Sequence, residues 1–349
     1  MMKNPLIDRL GIRHPVMLAP MGGEAACAEL VAAVSEAGGL GILGAAYMAP
    51  TRITEVIAQI RSLTSQPFGV NLFCPQRWQP EEALTQGYAQ RLARFHAELG
   101  LPPAQVPERF EESFDAQFDA VMAARVPLFS YTFGDLGLER TRALQAQGAV
   151  VVGTATQVRE AVQLQASGAD AVVAQGAEAG AHRGSFLGER DEGLVGTIAL
   201  VPQVVDAVQI PVIAAGGIAD ARGVRAAQVL GASAVAVGTA FLLADECPIA
   251  PAYRDALRSA HESDTVLTRA FSGRWARGIA NRFTRDMAAA PLPPFPIPNA
   301  LTRPLRQAAA RSGQAQFMSL WAGQAVTLAR PMPAAQLVAA LAQGWQPDA

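Results

Sequence analysis

The chain has 349 residues, 50% of them hydrophobic and 17% charged, so it carries enough apolar material for an extended core and lacks the composition of a disordered protein. A formal net charge of −2 with no long basic run argues against a nucleic-acid groove or a membrane-surface patch and leaves a small molecule as the expected partner. Lys3 is the only lysine, which argues against Schiff-base chemistry, and no apolar run has the length of a membrane helix.

From Pro15 to Phe241, short apolar runs alternate with longer amphipathic stretches, the pattern of repeated strand-helix units around a parallel sheet. The predicted strands, in chain order, are 15–21, 40–46, 67–73, 127–132, 149–155, 171–175, 211–215 and 234–238. Helical periodicity falls between them at 25–37, 51–63, 157–166, 198–208 and 221–230. The strand runs are almost unbroken in Val, Ile, Leu and Ala, as expected where both faces are covered. Eight such units predict a (β/α)8 TIM barrel over residues 1–243. Two segments break the rhythm: a helical insertion at about 79–125, and a mainly helical segment over 244–349. The latter contains PLPPFPIP at 291–298 and is expected to pack near the barrel mouth.

In such a barrel the working residues come from the C-terminal ends of the strands, and phosphates bind after the seventh and eighth. The sequence there reads AAGGI at 214–218 and VGTAF at 237–241. Gly216, Gly217 and Gly238 let backbone N–H groups approach a phosphate, Thr239 adds a hydroxyl, and the helix starting at Asp220 is expected to lend its positive end. The first strand ends in APMGG, bringing Met21 to the mouth on a slim backbone that includes Gly22. Asn71 and Gln175 end the third and sixth strands, each offering a donor and an acceptor to a heterocycle edge, although either could equally cap loop backbone. After the sixth strand, QGAEAGAHRGS at 175–185 sets His182 in a glycine- and alanine-rich turn.

A phosphate cradle, two amides, a methionine surface and one histidine fit a flat phosphorylated cofactor, flavin mononucleotide (FMN) best of all. No GxGxxG joins a strand to a helix, and Glu24, Glu178 and His182 lack a metal-ligand spacing, so neither a dinucleotide nor a metal is expected. Cys27, Cys74 and Cys247 are widely spaced and odd in number, which suggests neither a disulfide framework nor a zinc site and fits a reducing cytoplasm. Nothing in the sequence specifies an oligomeric state.

APMGG, AGGLG at 37–41, PFGVN at 67–71, QGAEAGAHRG, AAGGI and GTAFL occur in an order that resembles the nitronate monooxygenase family, formerly called 2-nitropropane dioxygenases, and its bacterial class I branch. GRWARGIANRF at 273–283 and WAGQ at 321–324 extend the likeness. The resemblance implies non-covalent FMN held at Met21, Gly22, Asn71, Gln175, Gly180, Gly216, Gly217, Gly238 and Thr239, with His182 as the active-site histidine. It implies oxidation of alkyl nitronates, propionate 3-nitronate in particular, by O2 to a carbonyl compound and nitrite. His182 is then expected to hydrogen-bond the nitro oxygens, or to remove a carbon-bound proton from a neutral nitroalkane. Arg183 is expected either to face inward and oppose an imidazolium or to pair outward with a carboxylate. The alternatives are an FMN-dependent NAD(P)H:quinone or enoyl-thioester reductase on the same barrel, and a non-catalytic flavin-binding barrel. The chain departs from the family pattern at Ala181, where glycine is usual, and at Phe295, where tyrosine is usual and a lysine follows.

Overall fold

The computed structural model describes residues 4–188 and 193–346; Lys3 lies outside them. The barrel strands are β1 (Val16–Leu18), β2 (Gly41–Gly44), β3 (Phe68–Phe73), β4 (Leu128–Thr132), β5 (Val150–Ala155) and β6 (Ala171–Gln175). A two-residue strand, β7 (Ala181–His182), precedes the seventh and eighth barrel strands, β8 (Val212–Ala215) and β9 (Ala234–Val237). All barrel pairings are parallel and join sequential barrel strands, and β9 returns to β1 with Val235 opposite Val16. The ring closes between β1 and β2 through Leu18 N–H to Leu40 O at 2.9 Å and Leu40 N–H to Val16 O at 3.0 Å. This is the expected (β/α)8 barrel.

The unbroken apolar runs are explained by burial on both faces. Along β5, Val150 and Val152 point into the barrel, while Val151 and Ala155 join the layer beneath the helices. The floor of the barrel is plugged by α1 (Pro5–Leu10), whose Leu6, Ile7 and Leu10 pack against Met17 and Leu40. Asn4 caps this helix and also bonds Ser233 O at 2.6 Å, fastening it to the N-terminal rim.

The outer ring contains α2 (Ala28–Glu36) and α3 (Pro50–Leu63), the latter opening on Pro50 and burying Ile53, Val56, Ile57 and Ile60 at helical spacing. Within the expected insertion lie α4 (Glu82–Glu98) and α5 (Phe114–Ala124). Because α5 packs on α3 and β3, it is the third barrel helix, and the added element is α4 with its flanking loops. The ring continues through α6 (Leu138–Ala146), α7 (Val158–Ala166), α8 (Thr197–Ala207) and α9 (Ala221–Val229).

The segment after β9 holds α10 (Pro251–Ser259), β10 (Thr265–Thr268), β11 (Ala276–Ile279), α11 (Arg282–Asp286), α12 (Ile297–Arg311) and α13 (Ala334–Ala342). A boundary at residue 243 does not separate barrel from cap, because α13 packs on α2, α9 and β1 and completes the helical ring. Residues between β9 and α13 therefore form an excursion over the mouth. Within it, β11 pairs antiparallel with β10 on one side and with β7 on the other.

Candidate active site

The C-terminal ends of the strands open into a cavity of about 710 Å³ above a floor that includes Met17, Ile42, Leu128, Val152 and Ile213. Its wall includes all ten residues singled out from the sequence: Met21, Gly22, Asn71, Gln175, Gly180, His182, Gly216, Gly217, Gly238 and Thr239.

At the β8 end, Gly216 and Gly217 have φ of 110° and 71°, a conformation that side chains with a Cβ rarely adopt. Their turn is braced from behind: Glu178 accepts from Thr197 N–H and its hydroxyl, and Thr197 Oγ1 lies 2.9 Å from Gly216 O. Among the described residues, the amides of Gly216, Gly217 and Gly238 donate to no protein acceptor. Thr239 Oγ1 accepts from Gly323 N–H at 3.0 Å and keeps its own proton for a further partner. These orphan donors fit a phosphate. The start of α9 does not contribute as expected, because the Asp220 carboxylate already caps Arg222 N and Gly223 N.

The two strand-end amides differ in use. Asn71 donates to Ser130 Oγ at 2.9 Å, leaving its carbonyl oxygen for the cavity, which suits an N–H on a heterocycle edge. Gln175 bridges the histidine loop, donating to His182 O at 3.0 Å and accepting from Gly184 N–H at 2.8 Å. Loop capping is its structural task. Gly180 allows the segment at 321–323 to approach, since a Cβ there would lie 2.6 Å from Ala322 C and Gly323 N. A Cβ on Gly22 would touch the Tyr47 ring at 3.0 Å.

His182 reaches the cavity on β7, opposite Ala276 of β11. Its Nε2 lies 2.9 Å from Ser272 Oγ. Phe73, Phe133, Phe295 and Trp321 surround the imidazole at centroid distances of 5.6–6.3 Å. Burial, reinforced by the positive charges of Arg274 and Arg306, pushes its pKa down to about 3, so the ring is neutral at physiological pH. Neither expectation for Arg183 is met. Its guanidinium turns into the loop and donates to Gly176 O, Gln175 O and Gly193 O at 2.7–3.0 Å, tying backbone and meeting neither a carboxylate nor the imidazole among the described residues.

A sequence profile described as nitronate monooxygenase matches residues 3–344. The chain belongs to the nitronate monooxygenase family. It is accordingly an oxidoreductase of a flavoprotein family. It is 42% identical over 335 residues to a probable nitronate monooxygenase of Staphylococcus aureus (strain Newman), covering 95% of this chain and 94% of the relative. Its fold is similar to that of a nitroalkane oxidase from Streptomyces ansochromogenes, with a TM-score of 0.90, 40% identity and coverage of 97% and 96% of the two chains. FabK from Thermotoga maritima is also similar, with a TM-score of 0.75, 30% identity and coverage of 99% and 96%.

The wall residues not singled out from the sequence include Tyr47, Arg303 and Arg306. Arg303 and Arg306 sit one turn apart on α12, just after the segment whose missing lysine had left that wall without an expected cation. Arg306 donates to Asn299 O and Asn299 Oδ1 at 2.9 Å and to Thr302 Oγ1 at 3.2 Å. Neither arginine meets a carboxylate among the described residues, and Glu24, the sole acidic residue on the described wall, is bonded to Ala250 N–H at 3.0 Å. The buried Tyr47 hydroxyl has no hydrogen-bond partner among the described residues. Burial pushes its pKa up to about 12 against the pull of Arg306, Arg303 and Arg274, so it stays a donor. An i, i+3 pair of arginines on an amphipathic helix was the available sequence signal, but solvated helix faces carry the same pattern.

Proposed function

We propose that the chain binds FMN and oxidises a nitronate bearing a second anionic group, such as propionate 3-nitronate, to a carbonyl compound and nitrite at the expense of O2. The carrying observation is one cavity lined both by orphan glycine amides and by a neutral histidine, a phenolic donor and guanidinium groups that meet no carboxylate among the described residues. The free amides at Gly216, Gly217 and Gly238 and the Thr239 hydroxyl suit the cofactor phosphate, and the Asn71 carbonyl suits a ring N–H. Bound FMN supplies the electron acceptor for the nitronate and the route of those electrons to O2.

The chain's own part is binding and orientation. Tyr47, Arg303 and Arg306 offer donors and positive charge to a carboxylate, while His182 and its aromatic surround hold the nitronate end and exclude water. The charges that keep His182 neutral also attract anions, which favours a nitronate over a neutral nitroalkane. The free cysteines, Cys27, Cys74 and Cys247, fit a cytoplasmic enzyme.

The deciding experiment adds propionate 3-nitronate to aerobic, FMN-loaded protein and measures nitrite, with NADH oxidation followed in parallel. Nitrite without NADH consumption is expected. Rapid NADH-driven bleaching of the flavin without nitrite release would replace this reading with a reductase.

A further inference from the structure

Ser272 lies behind His182, on the excursion that crosses the barrel mouth, and is 1% exposed. Its Oγ stands 2.9 Å from His182 Nε2, accepts from Arg274 N–H at 3.3 Å and lies 3.1 Å from Arg274 O. The other ring nitrogen, Nδ1, has no partner among the described residues, and it belongs to a side chain on the cavity wall.

The chemistry of the partner decides which nitrogen carries the proton. A carbonyl or carboxylate behind the ring only accepts, so it would require a proton on Nε2 and turn the Nδ1 lone pair towards the cavity. That lone pair would repel an anion. A doubly protonated ring would avoid the conflict, but burial and the charges of Arg274 and Arg306 oppose it. A hydroxyl is different, because it can donate to Nε2 while accepting from a backbone amide. The sp² nitrogen of imidazole is also a stronger acceptor than the competing Arg274 carbonyl, and it is the nearer of the two.

We infer that the Ser272 hydroxyl donates to His182 Nε2 and so holds the neutral ring in the tautomer that presents Nδ1–H to an anion in the cavity. Ser272 is a positioning residue, acting on substrate only through His182. The inference rests on the reading above that His182 faces an anionic nitronate, and it gives the hydroxyl a task that size alone would not. It also narrows the role of His182 to a hydrogen-bond donor: Nδ1, already protonated, cannot take a proton from carbon.

The test is ring protonation read directly, without turnover. FMN-loaded protein labelled with ¹⁵N-histidine is examined by long-range ¹H–¹⁵N NMR, with and without nitrate as a planar anion, and the His182 signals are assigned by their loss in His182→Asn. Nδ1–H is expected, at least with nitrate present. A proton on Nε2 in both samples overturns the inference while leaving the nitrite assay to judge the function separately. In steady-state kinetics, Ser272→Ala should raise the KM for the nitronate about tenfold, the scale of a lost hydrogen bond to a charged group, with a smaller effect on kcat. Ser272→Thr, which keeps the hydroxyl, should restore it. Equal KM values for wild type and Ser272→Ala also overturn the inference, and the wild-type NMR decides the matter if the alanine variant does not fold.

Discussion

At the scale of single residues, the histidine loop combines strain with electrostatic tuning. Ala181, immediately before His182, has φ of 61°, where a Cβ costs on the order of 1 kcal/mol and glycine costs little. Ala181→Gly should therefore stabilise the fold by about 0.5–1 kcal/mol in urea unfolding, part of the strain relief being lost to the freer unfolded chain. A loss of stability would show that the methyl's contacts outweigh the strain. His182 supplies a pH dependence. Its folded pKa of about 3 lies below the ordinary 6.5, so the unfolded state binds the extra proton first. Its contribution is present above about pH 6.5 and is lost as pH falls towards 3, with a slope of at most about 1.4 kcal/mol per pH unit. His182→Asn should flatten that slope in unfolding titrations. The same variant should retain FMN absorbance while kcat/KM for the nitronate falls roughly 100-fold, the scale for removing one preorganised donor to an anion.

At the scale of elements, the site is an alliance between barrel strands and the excursion above them. β6 and its loop bring His182, β11 pins it by pairing with β7, and α12 brings Arg303 and Arg306 to the same cavity. Arg306 is prepared for this by Asn299 and Thr302 on its own helix, which use some of its donors and fix the remainder. Arg306→Met keeps much of the stem's packing and removes the charge. It should raise KM for propionate 3-nitronate about tenfold or more while changing KM for an alkyl nitronate without a carboxylate much less. Equal increases for both substrates would mean that Arg306 serves the nitronate end or the fold instead of a second anionic group.

At the scale of the whole molecule, the chain leaves the barrel after β9, builds the cover over the cavity and then returns to close the helical ring with α13. Ending the chain at Pro333 would remove Leu337, Val338 and Leu341, each at most 4% exposed, and uncover α2 and α9. At roughly 1.5–3 kcal/mol for each large side chain taken from the core, that loss is comparable to the whole stability of a domain. The truncated protein should fail to bind FMN and should lose its cooperative thermal transition by circular dichroism. Retention of both would mean that α13 is an accessory to the barrel.

The sequence by itself determined the barrel, because strands buried on both faces must be apolar along their length and helices between them must be amphipathic; the eight runs from Pro15 to Gly238 carry that requirement locally. It also marked glycines such as Gly216 and Gly217, whose φ values leave few alternatives, and the loop that carries His182. Tertiary structure alone decided what each polar side chain meets. Gln175 and Arg183, for which the sequence left several partners open, are spent on backbone carbonyls and amides, whereas Tyr47, Arg303 and Arg306 look ordinary and converge on one cavity, with Ser272 behind the His182 ring. The physical reason is range: burial and backbone conformation leave a periodic or compositional trace within a few residues, while a hydrogen bond between positions 182 and 272 leaves none.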